Sequence, residues 1–300
     1  MMRQLFLIVC AGMCLQMQAQ DEIVSTAMAA QIHQDSIDVS SIVVVYDYEC
    51  QTQDADGKAV TDKMKVCLQI GQHSTRSYPY RKYRRERRWI GDGATDYMDG
   101  YDFLDLDELP QFRTESYCFM PEVWVNYPLE SVTVRDAIVP TIYVTQEKKE
   151  NINWVLSDDT VRIGGYLCKT AQCQLHGRQW TVHYTEDIPT SAGPWKLYGQ
   201  PGLILDAVAD GGVHRFTLDA LQHVVSPIYF ETNVITTKTS EKQLIKNRIK
   251  TFGNRLYPNS PQYYITNLST ADVVFDNDGA LINGVYVNNK AHVYQPLELE

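Results

Sequence analysis

Four histidines, His176, His183, His214 and His223, fall within one stretch of the chain. Imidazole is the side chain most often used as a metal ligand or as a proton carrier near neutral pH. If alternating strands bring His183 and His214 together, with Asp206 or Cys173 beside them, the group offers donors that suit a transition metal, as in metal handling for uptake at an outer membrane. His183 beside a carboxylate would instead act as the base of a hydrolase working on peptide or glycan. Neither spacing is a motif in itself, and histidines held at the surface or by hydrogen bonds satisfy it equally. The chain has no His-Glu-x-x-His pair, no Cys-x-x-Cys pair and no Walker loop, and Gly91-Asp92-Gly93 is only a fragment of a dinucleotide-binding loop. Pro189-Thr190-Ser191-Ala192-Gly193, the nearest approach to a nucleophile elbow, has Pro where the strained turn needs Gly. The expectation is a protein with no cofactor and no familiar catalytic set.

Two charged groupings remain. Asp276, Asn277 and Asp278 before Gly279 are cation-binding types, but the Glu that would complete an EF-hand loop is missing at its offset, and a hairpin turn explains them. Arg81, Lys82, Arg84, Arg85, Arg87 and Arg88, interleaved with Tyr78, Tyr80, Tyr83 and Trp89, form a dense basic cluster of the kind that grips phosphate or sulfate. The acidic run Asp92, Asp96, Asp99, Asp102, Asp105, Asp107 and Glu108 follows at once, so internal pairing is the preferred reading. The formal net charge of −10 excludes a general nucleic-acid binder, because that recognition rests on neutralising phosphates.

The elements that position these groups begin after an export signal. Arg3 precedes the apolar run Leu5 to Leu15, and polar residues around Ala19 follow, so residues 1-19 read as a cleavable signal peptide, too short to span a bilayer of about 30 Å. The working chain, residues 20-300, then has no transmembrane segment and lies outside the cytoplasm: periplasmic, outer-membrane-associated or secreted. Of 7 cysteines, Cys10 and Cys14 leave with the signal. Cys50 with Cys67 and Cys168 with Cys173 are candidate disulfides for an oxidising compartment, buried thiols being the alternative.

Most of the working chain reads as strands: Ser41 to Cys50, Lys63 to Ile70, Glu122 to Asn126, Ile138 to Thr145, Asn151 to Leu156, Tyr166 to Leu175, Gln179 to Thr185, Leu203 to Val208, Val213 to Leu218, Tyr229 to Thr236, Asp272 to Phe275 and Gly284 to Val287. Turn chemistry at Asp54-Ala55-Asp56-Gly57, His176-Gly177 and Asp210-Gly211-Gly212 makes hairpins between them. A helix near Ile23 to Ile32 is expected, and a second is better marked, with Ser240 and Gln243 as a capping box, Ile245, Ile249 and Phe252 on one face and Gly253 as its stop. The predicted fold is mainly β (β-rich α+β): one domain, a curved antiparallel sheet or half-barrel with a few helices.

Between Asp187 and Leu205 the chain carries Gly193-Pro194-Trp195-Lys196-Leu197-Tyr198-Gly199-Gln200-Pro201-Gly202-Leu203-Ile204, preceded by Gly165 to Ala171 and Trp180 to Thr185. This stretch resembles the GLPGLI family of exported proteins from Bacteroidota, with Gln200 in place of the Leu of the family's hexapeptide. The resemblance implies a β-rich envelope protein with no established activity and no catalytic residues to carry over. Gly193-Pro194 and Pro201-Gly202 are turn dipeptides that let the backbone double back before Leu203. The loop then reads as a plug in the open end of the sheet, or as a ligand-binding lip built from Trp195, Tyr198, Gly199, Gln200, Pro201 and Gly202. The expectation is an exported binding or accessory protein whose partner is an outer-membrane protein or a small ligand.

Overall fold

A computed structural model describes residues 34–54, 56–91, 121–138, 141–232, 234–252, 256–257, 273–275, 279–282, 285–288 and 292–299. The signal segment, the helix expected near Ile23 to Ile32, the acidic run from Asp92 to Glu108, Gly253 and the turn residues Asp276, Asn277 and Asp278 lie outside them.

In chain order the main elements are β1 (Gln34–Gln53), β2 (Ala59–Gly71), β3 (Thr75–Pro79), α1 (Tyr80–Gly91), β4 (Glu122–Val125), β5 (Ser131–Ile138), β6 (Thr141–Lys148), β7 (Val155–Ile163), β8 (Tyr166–Leu175), β9 (Arg178–Thr185), β10 (Leu203–Ala209), β11 (His214–Gln222), β12 (Ser226–Glu231), β13 (Thr237–Lys238) and α2 (Glu241–Phe252). They build one sheet in the order β13-β6-β5-β4-β3-β2-β1-β11-β10-β9-β8-β7, with β12 paired to the first part of β1. All pairs are antiparallel except β6 with β13. The short strands β14 (Leu256–Tyr257) and β18 (His292–Val293) pair with each other, and β15 (Val273–Phe275), β16 (Gly279–Ile282) and β17 (Val285–Asn288) form a meander.

Turn chemistry fixes the hairpins. The Asp54 carboxylate accepts the amides of Asp56 and Lys58 at 3.0 and 2.9 Å, and Gly57 supplies the positive φ that closes β1 onto β2. His176-Gly177 and Asp210-Gly211-Gly212 do the same for β8–β9 and β10–β11, all five residues having positive φ. The apolar faces of β1, β2, β4, β5 and β8 to β11 share one core with the loop that follows β9. Strands from opposite ends of the order line a common cleft, so the sheet curls into an unclosed half-barrel.

On the other face, α1 covers β2 and β3 over a smaller cluster of Val43, Cys67, Tyr78 and Tyr83. Ion pairs dock it more than apolar contacts do. Fully buried Arg76 makes a bidentate contact to Glu86 of α1 at 2.9 and 3.0 Å and reaches Glu122 at 2.7 Å. Lys82 binds Glu122 at 2.6 Å and Glu231 at 2.8 Å. Internal pairing of the basic cluster is thus seen at Lys82, but its partners come from β4 and β12.

Several boundaries differ from expectation. Neither β3 nor α1 is among the expected elements: Tyr80, Tyr83 and Ile90 do recur at helical spacing in α1, but the arginines among them read as a basic cluster. The strand expected over Ile138 to Thr145 divides into the end of β5 and the start of β6. Ser240 caps α2 as anticipated, its hydroxyl accepting the Gln243 amide at 3.3 Å, but the buried face is Leu244, Ile245 and Arg248, with Ile249 39% exposed. Arg248 reaches inward because Asp136 of β5 pairs with it.

No disulfide joins Cys50 to Cys67 or Cys168 to Cys173. Cys67 stands opposite Val45 and Cys50 opposite Asp62, five residues out of register, and they pack in different cores. Cys168 and Cys173 sit five residues apart on one extended strand, about 16 Å at the rise of a β-strand, beyond the reach of about 7 Å between Cα atoms.

Candidate functional site

The loop from Glu186 to Gly202 folds into the curled sheet and does not stand free of it. Trp195 and Leu197 are fully buried, with Trp195 5.5 Å from the Trp180 ring and 5.3 Å from the His176 ring. The backbone is pinned throughout: the Trp195 amide donates to the Ser77 hydroxyl at 2.9 Å, the Gly199 amide to Ser191 O at 2.9 Å and the Ile204 amide to Ala192 O at 3.0 Å. Gly199 has φ +100°, open to glycine alone without strain. A Cβ on Gly202 would stand 2.0 Å from Thr185 O, so the backbone of β9 admits only glycine there. Of the two readings of this loop, the plug describes Trp195, Gln200 and Gly202. Gln200 is 1% exposed, and neither atom of its carboxamide has a hydrogen-bond partner among the described residues.

Tyr198 has a different place. Half-buried, it donates through its hydroxyl to Glu150 O at 2.9 Å, while Trp154 Nε1 donates to Tyr198 O at 3.0 Å. These bonds hold the segment after β6 against the loop. Tyr198 and Lys196 form the floor of a cleft of about 740 Å³, a size that suits a small ligand or a short chain segment. One wall is Val132, Val134, Thr145 and Glu147 of β5 and β6, and the other is Val155, Gln172, Gln174 and Leu175 of β7 and β8. The cleft is therefore the seam where the half-barrel fails to close.

The floor is electrostatically anchored. Lys196, 4% exposed, binds Glu298 of the C-terminal segment at 2.8 Å and also pairs with Glu241 at the start of α2. Burial alone would lower the Lys196 pKa, but Glu298 and Glu241 hold it above the usual value. Cys173 also lines the cleft, where burial pushes its thiol up to about 12, so it stays protonated and is no nucleophile. Asn151 and Asn153 of the segment after β6 line the cleft with carboxamides that offer both a donor and an acceptor, whereas Gln172, Gln174 and Gln179 alternate with the core residues Cys173 and Trp180, so their side chains project from the opposite face of the sheet.

The histidines separate. His214 is fully buried with both ring nitrogens engaged, Nδ1 2.8 Å from the Tyr48 hydroxyl and Nε2 3.1 Å from Pro296 O. It has no lone pair to give a metal alongside His183, and no cluster of three or more metal-ligating side chains occurs among the described residues. His183 does meet Asp206, opposite it in register, with Nδ1 3.0 Å from Oδ2. Arg215 binds the other carboxylate oxygen at 3.0 Å. Burial would raise the Asp206 pKa, but His183 and Arg215 hold it below the usual range, so the ionised carboxylate accepts from His183 Nδ1–H and orients the ring. Sequence reasoning named His183, Asp206, Cys173 and Tyr198, but not Thr145 or the carboxamides, whose convergence depends on which strands end the sheet.

These features define a β-rich protein built on an open, curled sheet with a cleft at its seam. No family model matches the chain, and no curated protein matches it in sequence. Among solved structures it is similar to PNGF-II in space group P21, with TM-score 0.43 and 12% identity over 80% of this chain and 36% of that one. PNGF-II in space group C2 gives TM-score 0.43 and 13% identity over 79% and 35%. The chain thus spans about a third of the length of those structures. No helix among the described residues is long and apolar enough to cross a membrane.

Proposed function

We propose that this is an exported binding or accessory protein of the GLPGLI type, acting at the cell envelope, whose ligand or partner sits in the seam cleft. The observation that carries this reading is the cleft itself: about 740 Å³ between the two ends of the sheet, bordered by Asn151 and Asn153 and floored by Tyr198 and the anchored Lys196. Its floor belongs to the segment that bears the family resemblance, which gives that segment two tasks. Trp195 and Gly202 hold it in the sheet, and Tyr198 presents a surface.

The test is a mild cross-linking pull-down from the native cell envelope, comparing wild type with Tyr198→Ala. Trp195→Ala serves as the control for the fold, since its ring is core. A partner recovered by wild type and lost with Tyr198→Ala at unchanged thermal stability supports the reading, and equal recovery by both removes the cleft from function.

A second reading rests on the His183–Asp206 contact. An imidazole oriented by a carboxylate suits a general base in a hydrolase. Peptidase and glycosidase screens of wild type against His183→Ala test it, and equal turnover by the two would dismiss it.

A further inference from the structure

The seam has a second property: both of its edges carry unpaired backbone. Among the described residues β7 ends the sheet and bonds only to β8. At the other end β13 covers β6 only at Tyr143 and Val144, so the edge from Thr145 to Lys148 has no strand beside it. An uncovered edge presents N–H and C=O groups at the spacing of a strand and is a template for another extended chain. Beside it Val155, which lines the cleft, and the next strand residue Leu156 are 70% and 61% exposed.

Inside the cleft a second observation points to a ligand. Thr145 is 1% exposed, lines the cleft and has a hydroxyl with no hydrogen-bond partner among the described residues. Buried polar groups are normally satisfied, and one left open where a ligand would lie marks a contact still to be made. The carboxamides of Asn151 and Asn153 at the cleft can read a peptide group by pairing donor with acceptor and acceptor with donor. The rim carries both signs: Glu147 and Glu150 are exposed beside the equally exposed Lys148, the Lys149 ammonium lies 5.3 Å from the centre of the Tyr198 ring, and the carboxylate of Glu150 has no ion-pair partner among the described residues.

Building on the cleft reading above, we infer that the seam takes an extended, basic segment of a partner protein, which adds as a strand to the edge of β7 at Val155 to Ser157. The extent is limited by the molecule itself. After Ser157 the register with β8 shifts to accommodate Asp158 and Asp159, a bulge that ends the usable edge and places two carboxylates beyond it. A short added strand of three or four residues therefore fits, its apolar side chains against Val132, Val134 and Leu175 and its cations toward Glu150.

The experiment uses the mature protein and an array of fluorescein-labelled nine-residue peptides that alternate apolar and basic residues, read by fluorescence polarisation. Three further probes are acidic counterparts of the same peptides, copies N-methylated at alternate backbone nitrogens, and cellotetraose read by calorimetry. The expected result is saturable binding of basic peptides, weakened about tenfold by Glu150→Lys and by Thr145→Val, and lost on N-methylation. Equal binding of the N-methylated peptides overturns strand addition, and equal binding of the acidic peptides overturns the basic assignment. If no peptide binds but cellotetraose does, and Thr145→Val weakens it, the peptide inference fails while the cleft reading stands. If no probe binds and the envelope pull-down is also blank, both fall.

Discussion

Lys196 and Glu298 meet at 2.8 Å with side chains only 4% and 6% exposed, joining the loop after β9 to the last described residues of the chain. The contact belongs to a larger closure. Arg178 donates to Leu297 O at 3.1 Å, His214 lies 3.1 Å from Pro296 O, and the Leu299 amide donates to His176 O at 3.0 Å. The C-terminal segment thus seals one end of the half-barrel beneath the cleft floor, and Lys196 is where the two layers are tied.

Replacing Lys196 by Met removes the cation in direct contact with the buried Glu298, leaving it only His176 and Arg248 nearby among the described residues, whereas Glu241 at 28% exposure still reaches water. Breaking a buried pair from one side costs about 3–5 kcal/mol, mostly through the charge left behind. The expected outcome is a large fall in thermal midpoint, much of it recovered in Lys196→Met/Glu298→Leu, which removes the orphaned carboxylate. Denaturant melts of the two variants check this, and a single substitution as stable as wild type would show that the pair holds nothing together.

Gln200 makes the opposite prediction. Its carboxamide is buried without a hydrogen-bond partner among the described residues, and an unsatisfied buried polar group costs about 1–3 kcal/mol. Gln200→Leu, close in volume, is expected to stabilise the protein by a similar amount. A thermal midpoint that rises supports this. One that falls means that the amide makes a bond worth more than its burial.

What could be read from the sequence follows the range of the interactions involved. The hairpins at Gly57, His176-Gly177 and Asp210 to Gly212 were legible because turn geometry is decided within four residues. The strand Tyr166 to Leu175 was read to the residue because those turn signals bound it. Helix α1 was not, because Arg76, Lys82 and Glu86 make sense only once Glu122 and Glu231 are brought to them. His214 looked like a metal ligand, although Tyr48 and Pro296, each more than 80 positions away, use up its nitrogens. The cleft was hidden for the same reason: Thr145, Gln172 and Tyr198 converge only because the sheet starts and ends where it does.

Two glycines separate steric from conformational demand. Gly211 has φ +71° with no atom within 4 Å of an added Cβ, whereas an added Cβ on Gly202 runs into Thr185 O, Thr185 C and Glu186 N. Gly211→Ala should cost about 1 kcal/mol from the left-handed backbone alone. Gly202→Ala must move β9 or the loop and should cost more than about 3 kcal/mol, among the large single-site effects. Equilibrium unfolding in urea distinguishes them, and similar values would mean that the loop gives way freely.

Glu122 sets an acid limit on the docking of α1. Burial alone would raise its pKa, but Lys82, Arg76 and Arg135 bring it down to about 2, against about 4.3 for an unperturbed glutamate. A carboxyl lowered in the folded state binds its proton more readily when unfolded. Its stabilisation is therefore complete above about pH 4.3 and is lost as pH falls from there through about 2. Two pKa units correspond to about 3 kcal/mol, and other depressed carboxyls, such as Asp206, add to the total slope, so the informative quantity is a difference between proteins. Urea melts of wild type and Glu122→Gln from pH 6 to pH 2.5 should converge as pH falls, the variant being less stable at pH 6 and flatter across the window. Parallel curves would show that Glu122 titrates alike in the folded and unfolded chains, and that α1 is held by Tyr83 and its apolar neighbours instead.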